Sequence, residues 1–436
     1  MPKKKETKPL IKPEHPKTVS AKIIVNGLDD ILKKASSASK PEDVSIIQVV
    51  ESLLQMAYKQ NASDIHIEPF EERTIIRFRM DGIMHDMLEI PTHLHELITM
   101  RIKILSRLRT DEHRAAQDGK LRFRVGEEKI DARVSIIPVV YGEKTVMRLL
   151  SEKAQAYELE NLGFSEKDLA KVIENVEKPW GMILATGPTG SGKTTTLYSI
   201  VKRLNKREVN ISTIEDPVEN YIDGVNQIQI NAKTNLTFAN GLRSIVRQDP
   251  NIIMVGEIRD EETAKIAINA AMTGHLVLST FHTNDAPTAL PRFLDMGVQN
   301  FLVSSTVNLI IAQRLVRKVC EGCKTIVKPD AKIKKLIETQ FSKDLIDKYA
   351  LLTNDVVLAN VNRCHDCPSG YKGRVGIYEL LVMTEEIKEL IMSGANAEQI
   401  KDKALSMGMV NMIEDGIKKM QQGLTTLEEL LRVVKE

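Results

Sequence analysis

Eight consecutive residues carry the strongest chemical signal in the chain: Gly187, Pro188, Thr189, Gly190, Ser191, Gly192, Lys193 and Thr194. Glycine, four residues, then Gly-Lys-Thr is the P-loop pattern. Its glycines let backbone N–H groups approach phosphate oxygens and turn through conformations closed to other residues. Lys193 would reach the outer phosphates of ATP, and the Thr194 hydroxyl would hold Mg²⁺. Thr195 opens a helical stretch to Leu204, whose N-terminus would face the anion. The apolar run Met182-Ile183-Leu184-Ala185 before the loop reads as a strand, which separates this pattern from a chance glycine-rich turn.

A second group of residues would complete such a site. The apolar run Ile252 to Val255 leads into Gly256-Glu257, where a glutamate has the reach to polarise water. Glu215 and Asp216 follow a strand ending at Ile214. Acids at the C-terminal ends of strands in an open α/β sheet gather at its ligand crevice. One such acid alone is commonly a solvated loop charge; three beside a P-loop point to a catalytic set. His275 and His282 flank the run Leu276 to Thr280. Either would serve to sense a γ-phosphate or relay to Glu257, or simply to support the fold.

The four cysteines form two pairs, Cys320-Glu-Gly-Cys323 and Cys364-His-Asp-Cys367. Each pair can supply one edge of a tetrahedral Zn²⁺ site, and four thiolates would close it structurally. Redox pairing is the alternative; His365 could substitute for a cysteine, but a bystander role suits it better. The intervening stretch reads as a helical insertion over 332–349.

The elements that would position these groups follow from periodicity. Apolar runs at 182–185, 211–214, 252–255 and 276–279 alternate with helical stretches, as in a parallel sheet buried on both faces. Before them, 41–60 and 94–108 have helical spacing. Thr74 to Met80 alternates, with Ile76, Phe78 and Met80 on one face and Arg77 and Arg79 on the other, and Asp81-Gly82 supplies a turn. A second hairpin turns at Gly126-Glu127. The last 60 residues read as helical, punctuated at Gly394, Gly408, Gly416 and Gly423. The expected architecture is α/β: a basic disordered tail (1–40), a smaller N-terminal α+β domain (41–155), a RecA-like P-loop ATPase domain (156–315), a tetracysteine zinc element (316–372) and a C-terminal helical region (373–436).

Composition bounds the alternatives. The chain has 436 residues, 42% hydrophobic and 28% charged, with a net charge of +2. Only 4% of residues are aromatic. Near-balanced charge without an aromatic-studded basic stretch argues against a nucleic-acid motor. The first twenty residues hold six lysines against two glutamates, and no apolar core segment of a secretory signal follows the lysines, so the expected location is cytoplasmic.

These motifs together resemble the secretion-superfamily traffic ATPases, the type II secretion and type IV pilus assembly ATPases. The resemblance rests on the P-loop and on four further stretches: Thr213 to Glu219, Arg247 to Pro250, Gly256 to Asp260 and Thr273 to Asp285. In the N-terminal domain it rests on Ser63 to Glu68, Arg77 to Gly82 and Gln117 to Gly119. It implies a PAS-like N-terminal domain, a homo-hexameric ring, and an ATP site near a subunit boundary. It also implies an inner-membrane platform as partner. Catalytic arginines from the N-terminal domain or a neighbouring chain would then be Arg77, Arg79 and Arg101. The tetracysteine element favours assembly or secretion over retraction. Ala115-Ala116 departs from the family's Leu-Pro, and the short basic segment stands where many such ATPases carry a first docking domain.

Overall fold

The computed structural model describes residues 29–37, 40, 42, 44–150, 158–360, 367 and 369–435. Cys364, His365 and the basic segment 1–28 lie outside the described residues.

Alternating residues build the N-terminal sheet. Six antiparallel strands run β1 (Ala62–Pro69), β2 (Arg73–Met80), β3 (Ile83–Pro91), β4 (Gln117–Val125), β5 (Glu128–Val139) and β6 (Gly142–Leu150), in spatial order β3-β2-β1-β6-β5-β4. On β2, Ile76 and Phe78 are fully buried while Arg77 and Arg79 stay partly exposed, as their period of two requires. Helices Ile46–Lys59 and Thr92–Leu105 cover the apolar face. Val50, Leu53, Leu54 and Ala57 from the first, and Leu94, Ile98 and Ile102 from the second, share one core with the sheet. Inside the stretch read as tail, Asp29–Ser37 is helical, and Ile31 and Ala35, four residues apart, pack into this core.

The second sheet has seven strands: β7 (Gly181–Thr186), β8 (Ile211–Glu215), β9 (Asn226–Gln229), β10 (Ile252–Val255), β11 (Leu276–Phe281), β12 (Val307–Val319) and β15 (Tyr371–Val382). Its order is β15-β12-β7-β11-β10-β8-β9, parallel except for β15. Successive residues feed opposite cores: Met182, Leu184, Ile253 and Val277 pack on one face, Ile183, Ala185, Met254 and Leu276 on the other. That two-sided burial is why the runs are continuous rather than alternating. The chain leaves β7 for β8, three positions away, then returns through β10 and β11. This reversal opens a crevice beside the C-terminal end of β7.

Strands β13 (Lys324–Val327) and β14 (Val356–Ala359) form a separate hairpin-like pair, with helices Ala331–Gln340 and Lys343–Lys348 between them. The stretch after the cysteines is not all helix: β15 runs antiparallel along β12, so residues on both sides of 372 share one strand of the main sheet. Gly394, Gly408 and Gly423 stand at positive φ just past helix ends, as the sequence suggested. Gly416 does not punctuate. It lies inside helix Met412–Gln421, where a Cβ would meet Leu430 Cδ1 at 2.2 Å, so its smallness lets two helices close together.

Candidate nucleotide site

Strand β7 ends at Thr186, and the chain turns at once into the phosphate loop. Gly187 adopts φ +143°, and a Cβ there would come within 2.4 Å of the Gln313 carbonyl oxygen. Gly192, at φ +89°, is the N-cap of helix Lys193–Leu204, which has no side-chain cap. Its first N–H groups are therefore free for an anion. Lys193 Nζ donates to the carbonyls of Gly187 (2.7 Å) and Pro188 (3.0 Å). Burial lowers its pKa, with the charge of Glu257 acting the other way. The Ser191 hydroxyl is buried without a hydrogen-bond partner, an orphan that a phosphate or its metal would satisfy.

The acids arrive from the far side of β7. Glu215 closes β8 and is buried; it accepts from Tyr198 Oη, from Thr213 Oγ1 (2.5 Å) and from Gln227 Nε2 (3.2 Å). Burial, then the Glu215 charge, drives the Tyr198 phenol far above its ordinary pKa, so it stays a donor. Asp216 follows and is joined to Pro217 by a cis bond. Glu257 stands two residues beyond β10, its Oε2 3.1 Å from His282 Nε2 and its Oε1 2.5 Å from Arg259 Nη2. A hydrogen bond from Thr280 Oγ1 to the Gly256 carbonyl (2.7 Å) fixes the backbone before Glu257. Residues Thr189–Thr195, Glu215, Asp216, Glu257 and His282 all line one cavity of about 980 Å³. His275 does not. It sits at the opposite end of β11, its Nδ1 2.8 Å from the Ala270 carbonyl.

Arg77, Arg79 and Arg101 do not line this cavity. Arg77 pairs with Asp86 (3.0 Å) and Glu68 (3.3 Å), and Arg79 donates to the Gly82 carbonyl (2.9 Å). Arg101 lies on helix Thr92–Leu105 with Nε buried and unpartnered. Within one chain, Arg133 and Arg148 of the N-terminal sheet face the ATPase domain. They line a second cavity of about 480 Å³ together with Pro217 and Gln229. Arg133 Nη2 donates to the Val218 carbonyl at 2.6 Å, and its Nη1 lies 3.5 Å from Glu219.

The thiols of Cys320, Cys323 and Cys367 are buried and lie within 4.8 Å of one another. Cys323 and Cys367 Sγ approach to 3.4 Å. Backbone bonds from Cys320 N–H to Gly370 O and from Asn360 N–H to Cys323 O, both 2.9 Å, hold the cradle. A buried thiol set of this geometry suits a tetrahedral thiophilic ion such as Zn²⁺.

Residues 39–432 match the family profile described as Type II/IV secretion system protein. The chain belongs to that secretion family. It is 44% identical over 409 residues to the Type II secretion system protein E of Pseudomonas aeruginosa, covering 94% of this chain and 79% of that one. It is 45% identical over 398 residues to the Type IV pilus assembly ATPase PilB of Myxococcus xanthus, covering 90% and 69%. Among solved structures it resembles the pilus retraction motor PilT with bound ADP, at 27% identity and a TM-score of 0.59, covering 88% and 96%. The Legionella pneumophila ATPase DotB, at 21% identity and a TM-score of 0.66 over 91% and 97%, shares the fold. The chain is thus an ATP-hydrolysing P-loop NTPase of the secretion and pilus ATPase class.

One residue of this secretion-family site was invisible to sequence reasoning. Gln313, 1% exposed in mid β12, donates from Nε2 to Ser191 O (2.8 Å) and accepts from Thr196 Oγ1 (2.8 Å). It ties the phosphate loop and the first turn of the following helix to the neighbouring strand. No local pattern marks it; its partners lie more than a hundred residues away.

Proposed function

We propose that this chain is a ring-forming motor subunit that hydrolyses Mg-ATP at the cytoplasmic face of the inner membrane. Its work is assembly of a type IV pilus or a type II secretion pseudopilus through a membrane platform protein. What carries the reading is the placement of Glu257 in one cavity with Lys193, its carboxylate engaged by His282. In this reading Lys193 and the loop N–H groups hold the β- and γ-phosphates, and Thr194 with the buried Ser191 hydroxyl offers oxygens for Mg²⁺. Mg²⁺ supplies charge neutralisation on the phosphates when bound. Glu257 takes the proton of the attacking water, His282 orients and stabilises Glu257, and Glu215, held by Tyr198 and Thr213, keeps the acid-box loop in place.

In a homo-hexameric ring, Arg77, Arg79 and Arg101 would serve the nucleotide site of a second copy of the chain, since they do not line the cavity of their own. Three buried cysteines support a structural Zn²⁺, with Cys364 as fourth ligand. Among the described residues no helix is long and apolar enough to cross a membrane, which suits attachment through a partner. Mg-ATP hydrolysis per chain, measured against protein concentration with and without DNA, tests the proposal. Activity that rises with concentration and ignores DNA is expected; flat activity strongly stimulated by DNA would replace it with a nucleic-acid motor.

A further inference from the structure

Among the described residues, polar contacts join the N-terminal domain to the ATPase domain at two places, and each place includes a residue that lines the nucleotide cavity. One is Arg133 on Glu219. The other runs from the β2–β3 turn, where Asp81 and Gly82 adopt φ +48° and +86°. Asp81 Oδ2 accepts the Gly373 N–H at 2.9 Å, and Oδ1 lies 3.7 Å from Arg374 Nε. Arg374, on β15, lines the cavity, as does Leu315 on β12. At Gly192 a Cβ would stand 3.5 Å from the Leu315 methyls, so this edge abuts the phosphate loop directly.

The order of strands decides which part of a nucleotide lies here. Glu257 just beyond β10 and Glu215 at the end of β8 lie on one side of β7; β12 and β15 flank it on the other. A nucleotide whose γ-phosphate faces Glu257 across the loop must direct its α-phosphate and ribose toward β12 and β15. There Leu315 offers an apolar wall and Arg374 a cation.

We propose that Arg374 binds the α-phosphate and ribose end of the nucleotide, and that Asp81 of the N-terminal domain is its positioning residue. The proposal rests on the ATP-site reading above. At 3.7 Å the ion contact orients the guanidinium by charge without consuming its donors. The Asp81 bond to Gly373 meanwhile fixes the backbone one residue before Arg374. An N-terminal domain that moves thereby changes nucleotide affinity without touching the hydrolysed bond.

The test titrates full-length protein with Mg²⁺ and a fluorescent ADP, and separately with a non-hydrolysable ATP analogue. Arg374→Ala should weaken both by the same factor, about tenfold, the scale of one lost charge-assisted hydrogen bond. Arg374→Lys should recover part of the loss. Asp81→Asn keeps an acceptor for Gly373 N–H but removes the charge. It should weaken both about threefold, raise KM rather than lower kcat, and add nothing in the Arg374→Ala background. Unchanged affinity in Arg374→Ala overturns the proposal. So does a loss confined to the triphosphate, which would put Arg374 at the γ end, and so does an Asp81→Asn effect that persists without Arg374. Lys193→Ala separates the two levels. If it binds nucleotide like the parent, or the parent binds none, the ATP-site reading falls and this proposal with it. If it alone loses binding, only the Arg374 assignment fails.

Discussion

His282 Nε2 lies 3.1 Å from Glu257 Oε2, across the ends of β11 and β10. The carboxylate is largely buried while the imidazole is half exposed, so the histidine is the adjustable member of the pair. Glu257→Gln keeps the shape of the site but cannot take a proton. It should bind fluorescent ADP within about threefold of the parent and lose roughly 10²-fold or more in turnover, the range of a general base. Undiminished hydrolysis would remove Glu257 from that role. His282→Ala should act more mildly, lowering kcat with little change in KM.

Gln313→Leu removes both hydrogen bonds that pin the phosphate loop and leaves Ser191 O and Thr196 Oγ1 buried without partners. The expected stability loss is about 1–3 kcal/mol, read from chemical denaturation, with a raised KM for ATP. A variant as stable and as tightly binding as the parent would show that the strut is dispensable.

Metal analysis of protein purified without added zinc should give about one Zn²⁺ per chain, the stoichiometry of a closed four-thiolate site. Strong chelation should lower Tm and release thiols to a colorimetric reagent, and Cys323→Ser should reproduce the loss of Tm. Thiols that react fully before chelation would favour a redox pair instead.

Glu379 on β15 is 2% exposed and accepts the Ala286 N–H at 3.0 Å. Burial lifts its pKa above the ordinary 4.5; the bond from Ala286 and the Lys401 charge oppose that rise, and Asp285 adds to it. The folded chain therefore binds this proton more tightly than the unfolded chain. Its contribution to stability is fully present below pH 4.5 and is lost as pH rises through the elevated folded value. Glu379→Gln should flatten that part of the Tm–pH curve and stabilise the protein at neutral pH relative to the parent. An unchanged slope would mean that another group carries it.

The sequence showed those features whose cause is local. Each P-loop glycine answers to a steric need of its own turn, and strands buried on both faces announce themselves as apolar runs. The Asp81-Gly82 and Gly126-Glu127 turns also appear where the alternation breaks. Strands β1 and β6 were not read as strands. In β1 the outward positions hold Ser63, His66 and Glu68, and Asp64 is buried by its pairing with Arg148 (2.9 Å) rather than by hydropathy. β12 and β15 escaped because their apolar character is satisfied by each other across more than 50 residues of chain. Gln313 and Arg374 escaped for the same reason: their partners are remote in sequence. The arginines named from the resemblance lie off the nucleotide cavity in a single chain, where Arg77 is engaged by Glu68 and Asp86; Arg133 and Arg148 line the second cavity.

Strand β12 is 13 residues long and pairs on both edges, with β7 and with β15. Along it, Gln313 grips the phosphate loop, Arg314 donates to the carbonyl of Val433 in the last helix, and Arg317 clamps Glu429 at 2.8 Å. Cys320 follows at its end. At about 3.3 Å per residue, roughly 20 Å separates the loop anchor from the cysteine cradle along one strand. Such a strand behaves as a shaft. The pairing with β7 ends at Ala312, so from Gln313 to Val319 the strand is braced by β15 and by the last helix, and a displacement at the phosphate loop would reach the cysteines through those contacts. Inserting a single residue between Gln313 and Cys320 would rotate the far coupling to the wrong face while leaving every individual anchor chemically intact. Such a chain would keep its phosphate loop and its cysteine cradle, yet movement at one would no longer reach the other.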